Sequence, residues 1–285
     1  MIVRPELPAP GCWRQRRGAG VTYLVVLSFC IQNVRLYGGY RGKLMGLRVW
    51  RIRSMSKILF VVSGVDHWEL ADGTMHPTGY WAEEVVVPHE TFTSAGHDVV
   101  IATPGGAVPQ VDQRSLLPEF TGGQEGAARM VKAVEGIEGL HKPIRLEDVN
   151  LDEYQAVYYP GGHGPMEDLA VDQNSGQLLV TAMQGAKPLG IVCHGPAAML
   201  AAVRADGANV FAGCRVTGFT NEEEAQAGLA DKAKWLLQDR LVEIGTQFQE
   251  GEAWAPHVIV DGNLVTGQNP ASSAQVATEL LRKLA

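Results

Sequence analysis

Cysteine, long apolar runs and phosphate-loop signatures are scarce or missing in this sequence. Its 285 residues include four cysteines, too few for the disulfide framework of a small secreted domain. The longest apolar run of the first 54 residues is residues 21–31, shorter than the ~20 residues that span a bilayer. With 46% hydrophobic and 19% charged residues, global disorder is excluded. We expect a folded protein with no membrane partner.

Acidic residues are almost absent from one part of the chain. Residues 1–54 hold ten basic side chains and one acidic one, a net of +9, whereas the other 231 residues hold 14 basic and 30 acidic groups, a net of −16. The acidic body argues against a nucleic-acid partner. We interpret residues 1–54 as a basic extension that is disordered or not native, and expect a cytoplasmic protein; organellar targeting by this segment stays open.

The remaining residues, 55–285, show strands alternating with helices. Buried strands are predicted at 58–63, 98–103, 156–159 and 188–193, where apolar residues run continuously as in a parallel sheet. A helix is predicted to open at residue 78, another from Pro196 and a last one over 274–284, after a hairpin around 258–266. This pattern predicts one α/β domain, with a doubly wound, mostly parallel sheet flanked by helices.

The segment around Cys193 is typical of a nucleophile elbow. A buried strand runs directly into Cys193 and His194, then Gly195 and Pro196, the latter suited to the first turn of a helix. A helix N-terminus favours the thiolate form of a cysteine. Residues 160–164 (PGGHG) end an earlier strand, and their glycines allow backbone N–H groups to face a cavity, as an oxyanion site requires.

Two acidic segments follow strands on the same edge of the predicted sheet. In residues 217–224 (TGFTNEEE), Thr220 and Glu223 form a predicted capping box, which leaves Glu224 free. In residues 78–84 (TGYWAEE), only one of Glu83 and Glu84 can face the site, because adjacent helical residues point about 100° apart. Trp254, which precedes the last hairpin, is a candidate for the wall of the pocket, but we expect it to pack under a loop instead.

Together these segments resemble the ThiJ/PfpI family of the class I glutamine-amidotransferase-like superfamily, over the whole of residues 55–285. The resemblance is carried by 161–164 (GGHG), 192–196 (VCHGP), 217–220 (TGFT) and 264–272 (LVTGQNPAS). It points to the branch of glutathione-independent glyoxalases (glyoxalase III) and heat-inducible chaperones. It implies a flavodoxin-like fold and a homodimer.

The resemblance also implies roles for individual residues. Cys193 is the nucleophile and His194 its neighbouring partner, Glu84 is the carboxyl group beside the thiol, and Glu224 is the acid that orients the histidine. Gly162 and His163 are the backbone oxyanion donors. The register between Glu83 and Glu84, and between Glu223 and Glu224, stays open.

The leading functional hypothesis is a glyoxalase III-type lyase (D-lactate dehydratase) that acts on a small reactive carbonyl compound. Cys193 adds to methylglyoxal or a similar 2-oxoaldehyde, and the hemithioacetal is converted to a 2-hydroxy acid, D-lactate. The alternatives are a stress-response chaperone or redox sensor, and a cysteine peptidase, amidase or deglycase. No cofactor is expected, and no metal, because the other histidines lack a ligand spacing.

Overall fold

A computed structural model describes residues 56–284, so the expectations for residues 1–54 lie outside it. These residues contain eleven strands: β1 (Lys57–Val61), β2 (His67–Glu69), β3 (Met75–Pro77), β4 (Asp98–Thr103), β5 (Ile144–Arg145), β6 (Ala156–Tyr159), β7 (Leu189–Val192), β8 (Arg215–Val216), β9 (Gln247–Phe248), β10 (Val258–Asp261) and β11 (Leu264–Gly267).

The same residues contain nine α-helices: α1 (Ala82–Ser94), α2 (Pro118–Thr121), α3 (Gln124–Gly136), α4 (Glu138–His141), α5 (Gly164–Glu167), α6 (Gln173–Gln184), α7 (Asn221–Gln226), α8 (Leu237–Glu243) and α9 (Ser273–Leu284). Within this part of the chain, no helix has the length and apolar character needed to cross a membrane.

Seven strands form one twisted sheet in the order β10-β11-β7-β6-β1-β4-β5. Every neighbouring pair is parallel except β10 and β11, which form an antiparallel hairpin at one edge. The prediction of a mostly parallel α/β sheet flanked by helices is therefore confirmed. Strands β6, β7 and β11 are buried along their whole length, as their continuous apolar sequences require.

Two predicted helices differ from the structure. The first begins at Ala82 rather than at residue 78, because the backbone of Tyr80 bonds with Gln110 and Asp112 and holds this segment extended. The segment after Cys193 is a 3₁₀ helix, Gly195–Ala201, rather than an α-helix. The short strand predicted just before Thr217 is present as β8 (Arg215–Val216). The hairpin of β2 and β3 and the strand β9 that pairs with β8 were not predicted, because strands of two or three residues have no detectable periodicity.

The parallel topology places the predicted site on one edge of the sheet. Strands β1, β6 and β7 run in the same direction, so the segments that follow them emerge side by side. Those segments carry Gly161 and Gly162 after β6, and Cys193 after β7.

Candidate active site

Cys193 lies in a sharp turn between β7 and the 3₁₀ helix. Its φ of 59° is positive, a conformation that non-glycine residues rarely adopt and that the elbow of a nucleophile requires. The turn is held by its own backbone, because the N–H of Cys193 donates to the carbonyl of Gly267 at 2.9 Å and the carbonyl of Cys193 accepts from the N–H of Phe219 at 2.9 Å. The side chain is buried.

His194 connects Cys193 to Glu224. Its Nδ1 lies 3.3 Å from Sγ of Cys193, and its Nε2 lies 2.7 Å from Oε2 of Glu224. Burial, together with the electrostatic effect of the neighbouring His163 ring, lowers the pKa of His194, so the imidazole is neutral near pH 7. With Nε2–H donating to the carboxylate, the lone pair of Nδ1 faces the thiol. The pair is arranged for proton transfer from sulfur to nitrogen.

Glu224 accepts from two histidines at once. Its Oε1 lies 2.9 Å from Nε2 of His163, and all three side chains are buried. Although burial raises the pKa of Glu224, its electrostatic interaction with His194 and the hydrogen bonds from both rings outweigh that effect and hold the pKa well below its usual range. The carboxylate is therefore ionised and can orient both rings.

The imidazole of His163 is a part of the site that the sequence did not indicate, since only its backbone was assigned a role. Its ring lies 4.1 Å from that of His194 between centroids, and it stacks on Trp68 at 5.0 Å with an interplanar angle of 12°. Trp68 belongs to the β2–β3 hairpin, which was not predicted from the sequence. This hairpin therefore holds the His163 ring in place. The GGHG motif of residues 161–164 was the sequence feature that could have indicated a role for the His163 ring.

The start of α7 determines which glutamate faces the histidines. The Thr220 side chain accepts from the N–H of Glu223, and the Glu223 side chain accepts from the N–H of Thr220, so the predicted capping box is confirmed. Glu223 also accepts from the N–H of Trp254 and from the amide of Asn269. Because Glu223 is occupied in this way, Glu224 is the residue that reaches His194.

Glu84, in the first turn of α1, is fully buried beside the thiol. Its Oε2 accepts from the N–H of Gly161 at 2.6 Å. Its Oε1 is buried and has no hydrogen-bond partner among residues 56–284, and the Cys193 thiol is close enough to lower the pKa of this carboxyl group. Burial raises the pKa of Glu84 to about 8, against the lowering effect of these contacts. Glu83, by contrast, is half-buried and forms no hydrogen bond with the described residues through its side chain.

Cys193 and Glu84 compete for one negative charge. Burial raises the pKa of the Cys193 thiol, and the carboxylate of Glu84 raises it further, whereas the backbone N–H of Gly162 favours the thiolate. When Glu84 is protonated, the repulsion disappears and the carboxylic acid can donate to sulfur. The site therefore holds the sulfur anion best while Glu84 carries a proton.

The tandem glycines leave room for this arrangement. Gly162 has a φ of 82°, and a Cβ built there would lie 2.4 Å from the carbonyl oxygen of Gly79. A Cβ on Gly161 would lie 2.5 Å from the backbone nitrogen of His194. The two N–H groups can thus approach the thiol and Glu84 only because neither residue has a side chain.

Cys193 and His194 line a small, mostly enclosed cavity of about 40 Å³. Aromatic side chains form much of its wall: Trp81, Phe120, Phe219 and Trp254. Each water molecule needs about 10–15 Å³ measured in this way, so the space suits a ligand of few non-hydrogen atoms. The expectation that Trp254 packs under a loop is wrong: it is 44% exposed, has a φ of 64° and contacts Phe219 at this wall.

The two histidines and Glu224 also have the composition of a metal site. One ligand atom from each of His163, His194 and Glu224 lies within 4.8 Å of the others. Both Nε2 atoms, however, already lie at hydrogen-bonding distance from the carboxylate oxygens. The arrangement suits shared protons, and a cation would have to replace both of these contacts.

Comparison with known proteins finds one matching family and several relatives. Residues 77–283 match the model of the DJ-1/PfpI family. The chain is 30% identical over 191 residues to glutamine amidotransferase-like class 1 domain-containing protein 1 of Bos taurus, covering 67% of this chain and 82% of that protein. It is 28% identical over 234 residues to the glutathione-independent glyoxalase HSP31 of Saccharomyces cerevisiae, covering 80% and 98%. The crystal structure of glyoxalase III from Candida albicans superimposes with a TM-score of 0.70 at 24% identity, covering 80% of this chain and 97% of that one.

Proposed function

Because the chain belongs to the DJ-1/PfpI family, we propose that it is a glutathione-independent glyoxalase with Cys193 as its nucleophile. Its substrate is methylglyoxal or a related small 2-oxoaldehyde, and its product is the 2-hydroxy acid, D-lactate in the case of methylglyoxal. The observation that carries the proposal is a buried thiol between a neutral imidazole at 3.3 Å and a carboxyl group whose pKa is about 8.

The reaction begins when the Cys193 thiolate adds to the aldehyde carbon. The resulting oxyanion takes up a proton to give a hemithioacetal, and the backbone N–H of Gly162, which bonds to the Cys193 sulfur, is a donor for the charge that develops. The thiol proton passes to Nδ1 of His194, which Glu224 orients through the opposite nitrogen.

Isomerisation then moves one proton between the two carbons. A base removes the hydrogen of the former aldehyde carbon to give an enediol, and reprotonation of the neighbouring carbon gives a thioester of the 2-hydroxy acid. His194 and Glu84 are the two groups placed to carry this proton. Water hydrolyses the thioester and releases the acid and the free thiol. The balance is one 2-oxoaldehyde and one water to one 2-hydroxy acid, with no external oxidant or reductant.

The size of the cavity favours this reaction over its rivals within the family. A cysteine elbow serves a peptidase, an amidase or a deglycase equally well. Those substrates bring a peptide chain to the sulfur, whereas a cavity of about 40 Å³ lined largely by aromatic side chains suits the small reacting end of a free 2-oxoaldehyde.

The test is formation of D-lactate from methylglyoxal in the absence of glutathione and other thiols. We expect turnover by the wild-type protein and none by Cys193→Ala. Cys214→Ala is the matched control, because Cys214 is the other free cysteine of the described residues and does not line the cavity. Absence of lactate from the wild type, or equal rates for wild type and Cys193→Ala, contradicts the proposal.

A further inference from the structure

A second cavity adjoins the one that contains Cys193. It has a volume of about 500 Å³ and is open to solvent, and it lies between the β2–β3 hairpin and the segment that follows α7. The backbone of Ala71 bonds to the carbonyl of Lys232 at 2.8 Å, and Glu69 forms a salt bridge with Lys234 at 2.7 Å, so the two sides are tied together. Arg114 and Ala227 line both cavities and thus form their common wall.

The wall of the second cavity carries two cations, and the charge of one of them, Lys232, acts on the nearby carboxylate of Asp72. The side chains of Arg114 and Lys232 line it, and neither forms a salt bridge with any residue between 56 and 284. The guanidinium carbon of Arg114 lies 6.0 Å from the ring centroid of Phe120, which itself lines the cavity of Cys193. The guanidinium is therefore held at the boundary between the two spaces.

His76 adds a hydrogen-bonding group to the same wall. Its Nε2 is buried and has no hydrogen-bond partner among the described residues. Burial lowers the pKa of His76, and the nearby His163, Arg114 and Lys232 lower it further against the raising effect of Asp112, so the ring is neutral near pH 7. A polar atom buried in this way is stabilised when a ligand supplies its missing partner.

The acidic groups near this wall are already engaged. Asp72 lines the cavity, but its carboxylate accepts from the N–H of Thr74 at 2.9 Å. Asp112 accepts from the hydroxyl of Thr78 at 2.8 Å and from the N–H of Arg114 at 2.9 Å. Arg114 and Lys232 place two positive charges on the wall against the single lining carboxylate of Asp72, while the charge of Asp112 also acts on His76.

We propose that Arg114, Lys232 and His76 form a binding site for an anionic group on the substrate, so that the preferred substrate is a 2-oxoaldehyde that carries a carboxylate or a phosphate at its far end. The aldehyde end reaches Cys193 in the small cavity, and the anionic end lies beyond Arg114 in the open one. The placement of the aldehyde at Cys193 rests on the proposed function. The anion site is argued independently, from Arg114, Lys232 and His76.

A kinetic comparison tests the preference. The two substrates are 4,5-dioxopentanoate and 2-oxopentanal, which share the 2-oxoaldehyde end and the five-carbon chain and differ in the terminal carboxylate. We expect kcat/KM to be about tenfold or more higher for the anionic compound, the effect of one charge-assisted contact. Arg114→Gln and Lys232→Gln should each reduce that ratio, chiefly through KM. Lys132→Gln, an exposed cation on α3, is the matched control and should leave the ratio unchanged.

A binding measurement separates this inference from the proposed function. Inorganic phosphate and succinate are titrated into the full-length protein by calorimetry, which also distinguishes a phosphate site from a carboxylate site. We expect at least one of them to bind, more weakly at high salt, and the binding to be lost in the double variant Arg114→Gln/Lys232→Gln. Melting curves establish that the variants are folded.

The outcomes are distinguishable. If neither oxoaldehyde is turned over but anion binding depends on both cations, the anion site stands and the proposed function fails. If both compounds are converted equally and the variants change neither ratio nor binding, the anion site is overturned and the glyoxalase function stands.

Discussion

Replacing the buried Glu84 with glutamine should make the protein more stable at alkaline pH. The pKa of this carboxyl group rises from 4.5 to about 8 on folding. Between these two values the folded protein holds a proton that the unfolded chain has released, so the free energy of unfolding falls as pH increases. Each tenfold change in proton affinity corresponds to about 1.4 kcal/mol, so the whole loss amounts to about 5 kcal/mol, reached near pH 8.

Glutamine removes this dependence while keeping the volume and one essential contact. Its amide oxygen can still accept from the N–H of Gly161, as Oε2 of Glu84 does at 2.6 Å. The variant should therefore match the wild type near pH 5, where Glu84 is protonated in the folded state, and exceed it by several kcal/mol near pH 8. The gain cannot be larger than the loss it abolishes, about 5 kcal/mol.

Urea unfolding at several values between about pH 5 and pH 8, analysed by linear extrapolation, measures the difference directly. Glu90→Gln is the matched control, because Glu90 lies on the same helix with an exposed side chain and should shift the curve by the same small amount at every pH. A Glu84→Gln difference that is constant across this range would refute the reasoning, since it would mean that Glu84 is ionised in the folded protein.

Three further changes test the geometry of the site. Glu224→Gln removes the ionised acceptor of both histidines and should lower kcat with methylglyoxal about a hundredfold in a stopped lactate assay; a wild-type rate would exclude the orienting role. Gly162→Ala places a Cβ 2.4 Å from a backbone oxygen and should lower the free energy of unfolding in urea by more than about 2 kcal/mol. Gly207→Ala, at a φ of 84° but with open space around the Cβ, should lower it by only about 1–2 kcal/mol. Equal losses for the two variants would contradict this reasoning. Thr220→Val removes the side-chain cap of α7 and should lower the free energy of unfolding by about 1 kcal/mol in the same measurement. It should also lower kcat, because Glu224 lies in the first turn of this helix. Unchanged stability and rate would show that Glu223 and its neighbours hold the turn without the cap.

Much of the sheet could be predicted because its strands are buried on both faces. Strands β4 and β6 occupy the predicted residues 98–103 and 156–159, and β1 and β7 differ from prediction by one or two residues at their ends. Continuous apolar sequence is a strong signal for such strands. The start of α1 was misplaced because its cause is not local: Tyr80 pairs with a loop thirty residues later in the chain.

The side chains around the thiol were harder to predict than the elbow itself. The position of Cys193 follows from the order of strand, cysteine, glycine and proline along the chain. The ring of His163, by contrast, is oriented by Trp68, which stands 95 residues earlier in a three-residue strand. Arg114 likewise reaches the wall from a 3₁₀ turn in a loop. Contacts of this kind depend on tertiary packing and leave no periodic pattern in the sequence.

The site also holds two chemically identical side chains in different protonation states, and no sequence pattern predicts this difference. Glu84 and Glu224 are both glutamates in the first turn of a helix, and both are buried near Cys193 and His194. Glu84 is bonded to one backbone N–H and is fully buried, so burial dominates and keeps it protonated. Glu224 is bonded to two imidazoles, which keep it ionised. A pair of acids held in opposite states supplies a proton donor on one side of the sulfur and an oriented base on the other. A hemithioacetal that must lose a proton at one carbon and gain one at the next requires both a proton donor and a base. This division of roles between Glu84 and Glu224 is the physical basis for proposing the isomerisation at Cys193.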